Sequence, residues 1–384
     1  MVTEPRRSSW QSTKWGNLAK LEYGKSLRDY DSEQSFGKRF RVFGTNGPIG
    51  WHSSPLYTNP SIVVGRKGAY RGIHFSHDPF FVIDTAFYLK PTTEFDIRWA
   101  YYQLTNFDIN KLDSGSAIPS TSRDAFYEIP VSLPPLPVQQ RIAGILSAYD
   151  ELIENSQRRI KILESIARVL YREWFVHFRF PGHEHHPRVA SPLGEIPQGW
   201  EVKRLGEIAE EMRRNVPKGQ LDDQTPLVGL EHIPRRSLAL DAWETTTDLG
   251  SNKLEFKKGE ILFGKIRPYF HKVSVAPFDG LCSADTIVIR SRQPEHYAMV
   301  VGYVSSDEFV ALATATSNGS KMPRANWSVL EKHPIAIPTL SVASQFSGIM
   351  EQPPRAPDPL LDENGPVFNE REPFPWQRAT WLRP

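Results

Sequence analysis

The sequence predicts the α+β class: two mixed α/β domains joined by a long coiled-coil spacer helix. Three observations carry this reading. A stretch of chain returns once at a fixed offset, each copy contains short β-branched and aromatic runs, and a proline-free heptad segment lies between them. At 384 residues the chain also exceeds what a single hydrophobic core organises.

The repeat anchors the argument. GSAIPSTSRDAFYEIPVSLPPLPVQQRIAGIL, from Gly115, aligns without gaps with GSKMPRANWSVLEKHPIAIPTLSVASQFSGIM, from Gly319, an offset of 204 (319 − 115). It pairs Pro119 with Pro323, Pro130 with Pro334, Leu136 with Leu340 and Gly144 with Gly348. Upstream, SIVVGRKGAY is similar to EILFGKIRPY, pairing Gly65 with Gly264, and IDTAFYL to ADTIVI, pairing Asp84 with Asp285. The drifting offsets there imply loop insertions between common strands. The runs Ser61–Val64, Phe80–Ile83, Glu260–Phe263 and Thr286–Ile289 sit between Gly, Pro and Asn turns and read as strands.

Between the copies the composition changes. Pro137 suits the start of a helix, and from Val138 to about Phe178 no proline occurs and only Gly144 interrupts good helix formers. Apolar residues follow a seven-residue repeat: Ile142, Tyr149, Leu163 and Leu170 on one position, Leu146, Ile153, Ile160 and Trp174 on the other, with Ser156 and Ala167 filling the same two series. That spacing is a coiled-coil seam. About 40 residues at 1.5 Å each span roughly 60 Å, so the seam needs a partner helix. The charges Arg158, Arg159, Glu164, Arg168 and Arg172 read mainly as a solvated face. The expected organisation is a first domain over 1–136, the spacer helix over 137–181, a second domain over 182–339, the start of a second helix over 340–352 and an irregular tail over 353–384.

Bulk charge permits a nucleic-acid partner without demanding one, since the formal balance is only +2. The lone cysteine, Cys282, has no internal disulfide partner and reads as a small buried side chain in a reducing cytoplasm. No apolar run approaches the roughly 20 residues that span a bilayer, so no membrane partner is expected.

No phosphate-cradling G-x-x-x-x-G-K-[ST] loop occurs, and Thr58-Asn59-Pro60 lacks the second proline and aromatic residue of an adenine-methyltransferase motif. Adjacent ligands such as His183-Glu184-His185-His186 rarely converge on one ion, so neither a metal site nor a catalytic residue is expected. What recurs is cationic, aromatic and hydroxyl side chains on Gly- and Pro-punctuated turns. In the first half these are Lys38, Arg39, Arg41, Arg66, Lys67, Tyr70 and Arg71, then Ser116, Ser120, Ser122 and Arg123. In the second they are Lys265, Arg267, Tyr269 and Lys272, then Ser320, Lys321 and Arg324. Arg and Lys bind phosphates or read guanine O6 and N7 in the major groove, so all of these are candidate DNA contacts.

Several stretches together resemble the specificity subunits of type I restriction-modification systems. The most specific is IPVSLPPLPVQQRIAGILSAYDELIENSQRRIKILESIARVLYREWFVHF, similar to the family's central conserved region; VFGTNGPIGW, IVVGRKGAYRG and DTAFYL resemble its first-domain pattern, and SPLGEIPQGWEVKRLGEIAEE the start of its second domain. The resemblance reaches to about Gln352. It implies two target-recognition domains that each read one half of a bipartite DNA site, with the helices setting the spacing and docking two methyltransferase subunits. It also implies a subunit without its own cofactor: S-adenosylmethionine would be bound by the methyltransferase partners, and ATP and Mg2+ by restriction and translocase partners.

One departure is plain. The second spacer helix begins normally at Leu340 but meets Pro353-Pro354, which a helix interior does not tolerate, and the remainder carries eight of the 32 prolines. A frameshift or a short form of the family would each produce such a tail. The central helix then lacks an intramolecular partner, which leaves a homodimer through that seam or an inactive, scaffold-like variant as alternatives. A stand-alone DNA-modifying enzyme is the reading from another class, and the missing cofactor loops argue against it.

Overall fold

The computed structural model describes residues 10–112, 119–319 and 321–351. The chain divides into two compact units, Met1–Gln157 and Arg158–Pro384.

In the first unit β1 (Gln11–Lys14) leads through α1 (Trp15–Leu18) into β2 (Ala19–Tyr23). Then follow β3 (Phe40–Gly44), β4 (Gly47–His52), β5 (Ser61–Gly65), β6 (Ile73–Ser76), β7 (Phe80–Val82) and β8 (Ala86–Pro91). After α2 (Ile97–Thr105) and α3 (Arg123–Tyr127), β9 (Pro130–Leu133) returns to pair with β1, and α4 (Leu136–Tyr171) begins. Four strands form a sheet in the order β2-β8-β5-β6, and three form another in the order β4-β3-β7. All five residues of β5 are buried, as suits an apolar strand inside the sheet. The core gathers Trp15, Leu21, Ile62, Phe87, Trp99 and Phe126.

The second unit opens on a hairpin of β10 (Arg188–Ser191) and β11 (Gly194–Pro197), followed by β12 (Glu201–Arg204), β13 (Ala209–Glu211), β14 (Arg214–Val216) and β15 (Gly219–Val228). Next come β16 (Glu244–Leu249), β17 (Lys253–Phe256), β18 (Ile261–Gly264), β19 (Val273–Val275), β20 (Gly280–Ser283) and β21 (Thr286–Ser291). Helices α5 (Tyr297–Val304), α6 (Asp307–Ala315) and α7 (Trp327–Leu330) precede β22 (Pro334–Ile337), which pairs with β12, and α8 (Leu340–Glu351) closes the described chain. The sheet β13-β21-β18-β19 repeats the order of β2-β8-β5-β6. Likewise β15 and β20 pair in parallel as β3 and β7 do. Strands β14 and β17 widen this sheet to five strands; in the first unit the place of β17 is held by a single antiparallel bridge, Tyr57 to Phe80. Cys282 lies buried on β20, and burial pushes its thiol up to about 12.

The common offset survives to the level of single capping bonds. Ser122 caps α3 by accepting from Ala125 N at 3.2 Å, and Asn326, 204 residues on, caps α7 by accepting from Ser328 N at 3.1 Å.

Two expectations for the long helix change. The α-helix ends at Tyr171, where a π-helical turn, Arg172–Val176, delivers Trp174 and Phe175 into the second core, and Phe178 leaves the helix with φ of +57°. The ends of the predicted seam are core residues rather than seam residues. Ile142 packs against the first core, Leu170 against the second, and Trp174 is buried 5.3 Å from the ring of Phe346 on α8. Between them Leu146, Tyr149, Ile153, Ile160 and Leu163 are exposed. A second stripe that the heptad count passed over runs beside them: Ile145, Leu152 and Ile166 on one heptad position, Ile162 and Val169 on another, all exposed.

No helix among the described residues is long and apolar enough to cross a membrane. No group of three His, Cys, Asp or Glu among them has the geometry to hold a metal ion.

Candidate nucleic-acid interface

In each unit the basic turn after the central strand is stitched to the segment before the short helix by the same bonds. In the first, Gly65 N donates to Gly72 O at 2.8 Å, Gly68 N to Pro119 O at 3.0 Å and Thr121 N to Arg66 O at 2.8 Å. In the second, Gly264 N donates to Lys272 O at 2.8 Å, Arg267 N to Pro323 O at 2.8 Å and Ala325 N to Lys265 O at 2.9 Å. The bridge between Lys67 and Ser120 recurs between Ile266 and Arg324. This register places Gly68 opposite Arg267, and both hold positive φ, +127° and +50°. Glycine adopts such a backbone freely, whereas an arginine there costs about 1–2 kcal/mol. Strain held in place by surrounding bonds is a mark of functional loops.

Around the first turn two cations share one ring. The Arg66 guanidinium lies 4.7 Å from the Tyr23 ring centroid and donates to Asp84 O at 2.9 Å, while the Arg123 guanidinium lies 4.5 Å from the same ring. The ring quadrupole attracts both cations and lets like charges gather without a carboxylate between them. Lys67 is exposed and Tyr70 is 80% exposed, so both project from the turn. The hairpin tip Thr45-Asn46 packs beside it, with Gly72 N donating to Thr45 O at 3.0 Å. On that hairpin Arg41 stacks over Trp51 at 4.4 Å, and the neighbouring Arg39 over Phe40 at 5.4 Å.

Three candidates are committed elsewhere. Arg71 is only 4% exposed; its guanidinium donates to Gly68 O at 3.2 Å and Asn110 O at 3.0 Å, so it holds the turn from within instead of facing DNA. Lys38 bonds Asp29 at 2.6 Å and Asp31 at 3.1 Å, and these bonds raise its pKa. Ser122 is occupied as a helix cap. Ser120 is half-buried in the bridge to Lys67, and Ser116 lies outside the described residues.

In the second unit Tyr269 and Lys321 are exposed, and Arg267 and Lys265 half-buried. Arg324 is exposed and lies 3.4 Å from the Asp285 carboxylate. Lys272 turns inward: its ammonium donates to Leu230 O, and burial lowers its pKa. Ser320 lies outside the described residues. Sequence reasoning missed Arg235 and Arg236, although the doublet after Pro234 was visible. Arg235 stacks over Phe270 at 4.2 Å and is bridged to Lys272, and Arg236 lies 2.9 Å from Asp307. Tyr23 was also missed, and an aromatic residue at a strand end carries no sequence signal of such a role.

The family described as the type I restriction modification DNA specificity domain matches residues 8–165. The MjaIX specificity subunit of Methanocaldococcus jannaschii, a type I restriction enzyme subunit, is 26% identical over 254 residues, 63% of this chain and 58% of that protein. The chain thus spans less than two thirds of that relative. The EcoDI specificity subunit of Escherichia coli is 24% identical over 376 residues, 89% of this chain and 81% of that one. In fold, the chain is similar to the crystal structure of a type I restriction-modification S subunit from M. genitalium, with a TM-score of 0.61 at 15% identity over 91% of each chain.

Proposed function

We propose that the chain, whose residues 8–165 match the type I restriction modification DNA specificity domain, is the DNA-reading, non-catalytic subunit of such a system. Each unit binds one half of a split double-stranded site, and the long helix sets the number of unread base pairs between them. The observation that carries this reading is the basic turn that recurs with the same hydrogen bonds in both units, presenting Arg66 and Lys67 in one and Lys265 and Arg267 in the other.

The two exposed apolar stripes of α4 support docking on two sides. One takes a partner helix and the other a methyltransferase subunit, two such subunits serving one assembly, with restriction and translocase subunits joining it in the cytoplasm. S-adenosylmethionine, ATP and Mg2+ belong to those partners. Proline is not tolerated inside a helix, so the Pro353-Pro354 pair in the sequence supports a seam helix supplied by a second copy of this chain.

Methylome sequencing of a methylation-free host that expresses this chain with its neighbouring methyltransferase subunit tests the reading. A bipartite methylated-adenine motif is the expected result. Absence of any motif, with both proteins soluble, would overturn it.

A further inference from the structure

We propose that Glu164 is a positioning residue for DNA recognition by the second unit: from the long helix it holds the segment 236–239 that backs the cationic turn 265–272. The inference rests on the DNA-reading function above. One oxygen of its carboxylate accepts three bonds, from Ser237 Oγ at 2.8 Å, Leu238 N at 2.7 Å and Ala239 N at 3.1 Å. One turn further along the helix, Arg168 donates to Arg236 O at 3.2 Å. These two side chains read from sequence as a solvated face; the fold instead gives them a backbone segment to hold.

The same segment is bonded on its other side to the strand and turn that carry the candidate DNA contacts. Val275 N donates to Leu238 O at 2.9 Å, and Ser274 Oγ to Ser237 O at 3.3 Å. Arg236 N donates to His271 O at 2.9 Å. Arg236, Arg267 and His271 all hold positive φ, near +50° to +58°, although none is glycine. Backbone in this sparsely populated region persists only where its surroundings over-determine it. Glu164 supplies bonds of that kind at one edge of the cluster, and a carboxylate accepting from backbone amides makes a strong, charge-assisted tie. Helix, segment and turn therefore move together, so the helix that sets the half-site spacing also sets the pose of the residues that read one half.

Two measurements on the full-length chain test this. Hydrogen–deuterium exchange is expected to show the Leu238 and Ala239 amides losing protection in Glu164→Ala and keeping it in Glu164→Gln, which retains an acceptor oxygen. With DNA carrying the wild-type motif, or that motif scrambled in either half, Glu164→Ala is expected to lose about 10-fold of its discrimination at one half-site and none at the other. Glu164→Gln is expected to restore it. Unchanged exchange in Glu164→Ala, or equal loss at both half-sites, would overturn the proposal, the second because it marks a general loss of folding. A wild-type chain that prefers no sequence would overturn the DNA reading itself, and the exchange result would still decide whether Glu164 holds the segment.

Discussion

The two units share a skeleton and differ in how they grip the long helix. In the first, Gln139 accepts from Asp96 N at 2.8 Å, Tyr102 OH donates to Asp150 at 2.7 Å, and Arg98 lies 3.2 Å from Glu151, so the helix is bound to α2 and its leading residue. The basic turn there is braced separately by Arg71 and Asn110. In the second, the helix bonds the segment that backs the basic turn through Glu164 and Arg168. One repeat has thus been set two ways: a basic turn braced by Arg71 and Asn110 in the first unit, and one backed by a segment that the long helix holds in the second. The insertion that supplies 236–239 lies in the part of the chain where the repeat offset drifts.

The sharpest test of this asymmetry is in the cores. Phe346 is nearly fully buried against Trp174 and Phe175, whereas Ile142, 204 residues earlier, is half-buried. Phe346→Ala is expected to cost about 3–5 kcal/mol in denaturant unfolding, and Ile142→Ala roughly 1–2 kcal/mol because less surface leaves water there. Equal costs would mean that both helix starts are seated alike.

Next in size is recognition. Arg66→Ala and Arg267→Ala are each expected to weaken a different half-site by about 1–3 kcal/mol in competition binding. Uniform weakening across all sequences, with a shallower salt dependence, would assign either residue to phosphate instead.

A smaller effect comes from the paired positive-φ sites. Gly68→Ala is expected to destabilise by about 1–2 kcal/mol, since its φ of +127° excludes a side chain. Arg267→Gly is expected to raise stability by up to about 1 kcal/mol while reducing DNA affinity. Thermal melts with and without DNA separate the two.

The smallest expected effect is on pH. Burial lowers the pKa of His74 in the first unit and of His296 and His333 in the second below the ordinary 6.5. The unfolded chain then binds more protons than the folded one as pH falls below 6.5, so stability is lost on acidification. Melting temperature should fall from pH 7 toward pH 5, and His74→Gln should remove the first unit's share. A flat profile would show that these rings stay hydrated.

Much of this was legible beforehand, because a gapless repeat fixes equivalent positions without any knowledge of their structure. Ser122 and Asn326 cap equivalent helices, and Gly65 and Gly264 end equivalent strands, as their alignment implied. The run from Glu260 reads as strand in the sequence, yet the strand begins at Ile261, and Glu260 is buried in a two-oxygen pair with Arg214, 2.5 Å at its shortest. Periodicity registers apolar burial and is blind to a buried ion pair. Arg71 misleads for the same reason: on a turn it looks like any surface cation, and it is drawn inward by the carbonyls of Gly68 and of Asn110, the second 39 residues away. Glu164 was illegible because its partners are mostly backbone amides, which have no sequence identity.

The one cysteine offers a practical opening. Cys282 is buried on an interior strand with its thiol held protonated, so maleimides and other thiol reagents find almost no thiolate there. A single cysteine introduced at Tyr149, which is 59% exposed on α4, would take a fluorophore or spin label at one defined place without first stripping the native residue. The chain is in effect ready for distance measurements that test whether two copies pair along the long helix.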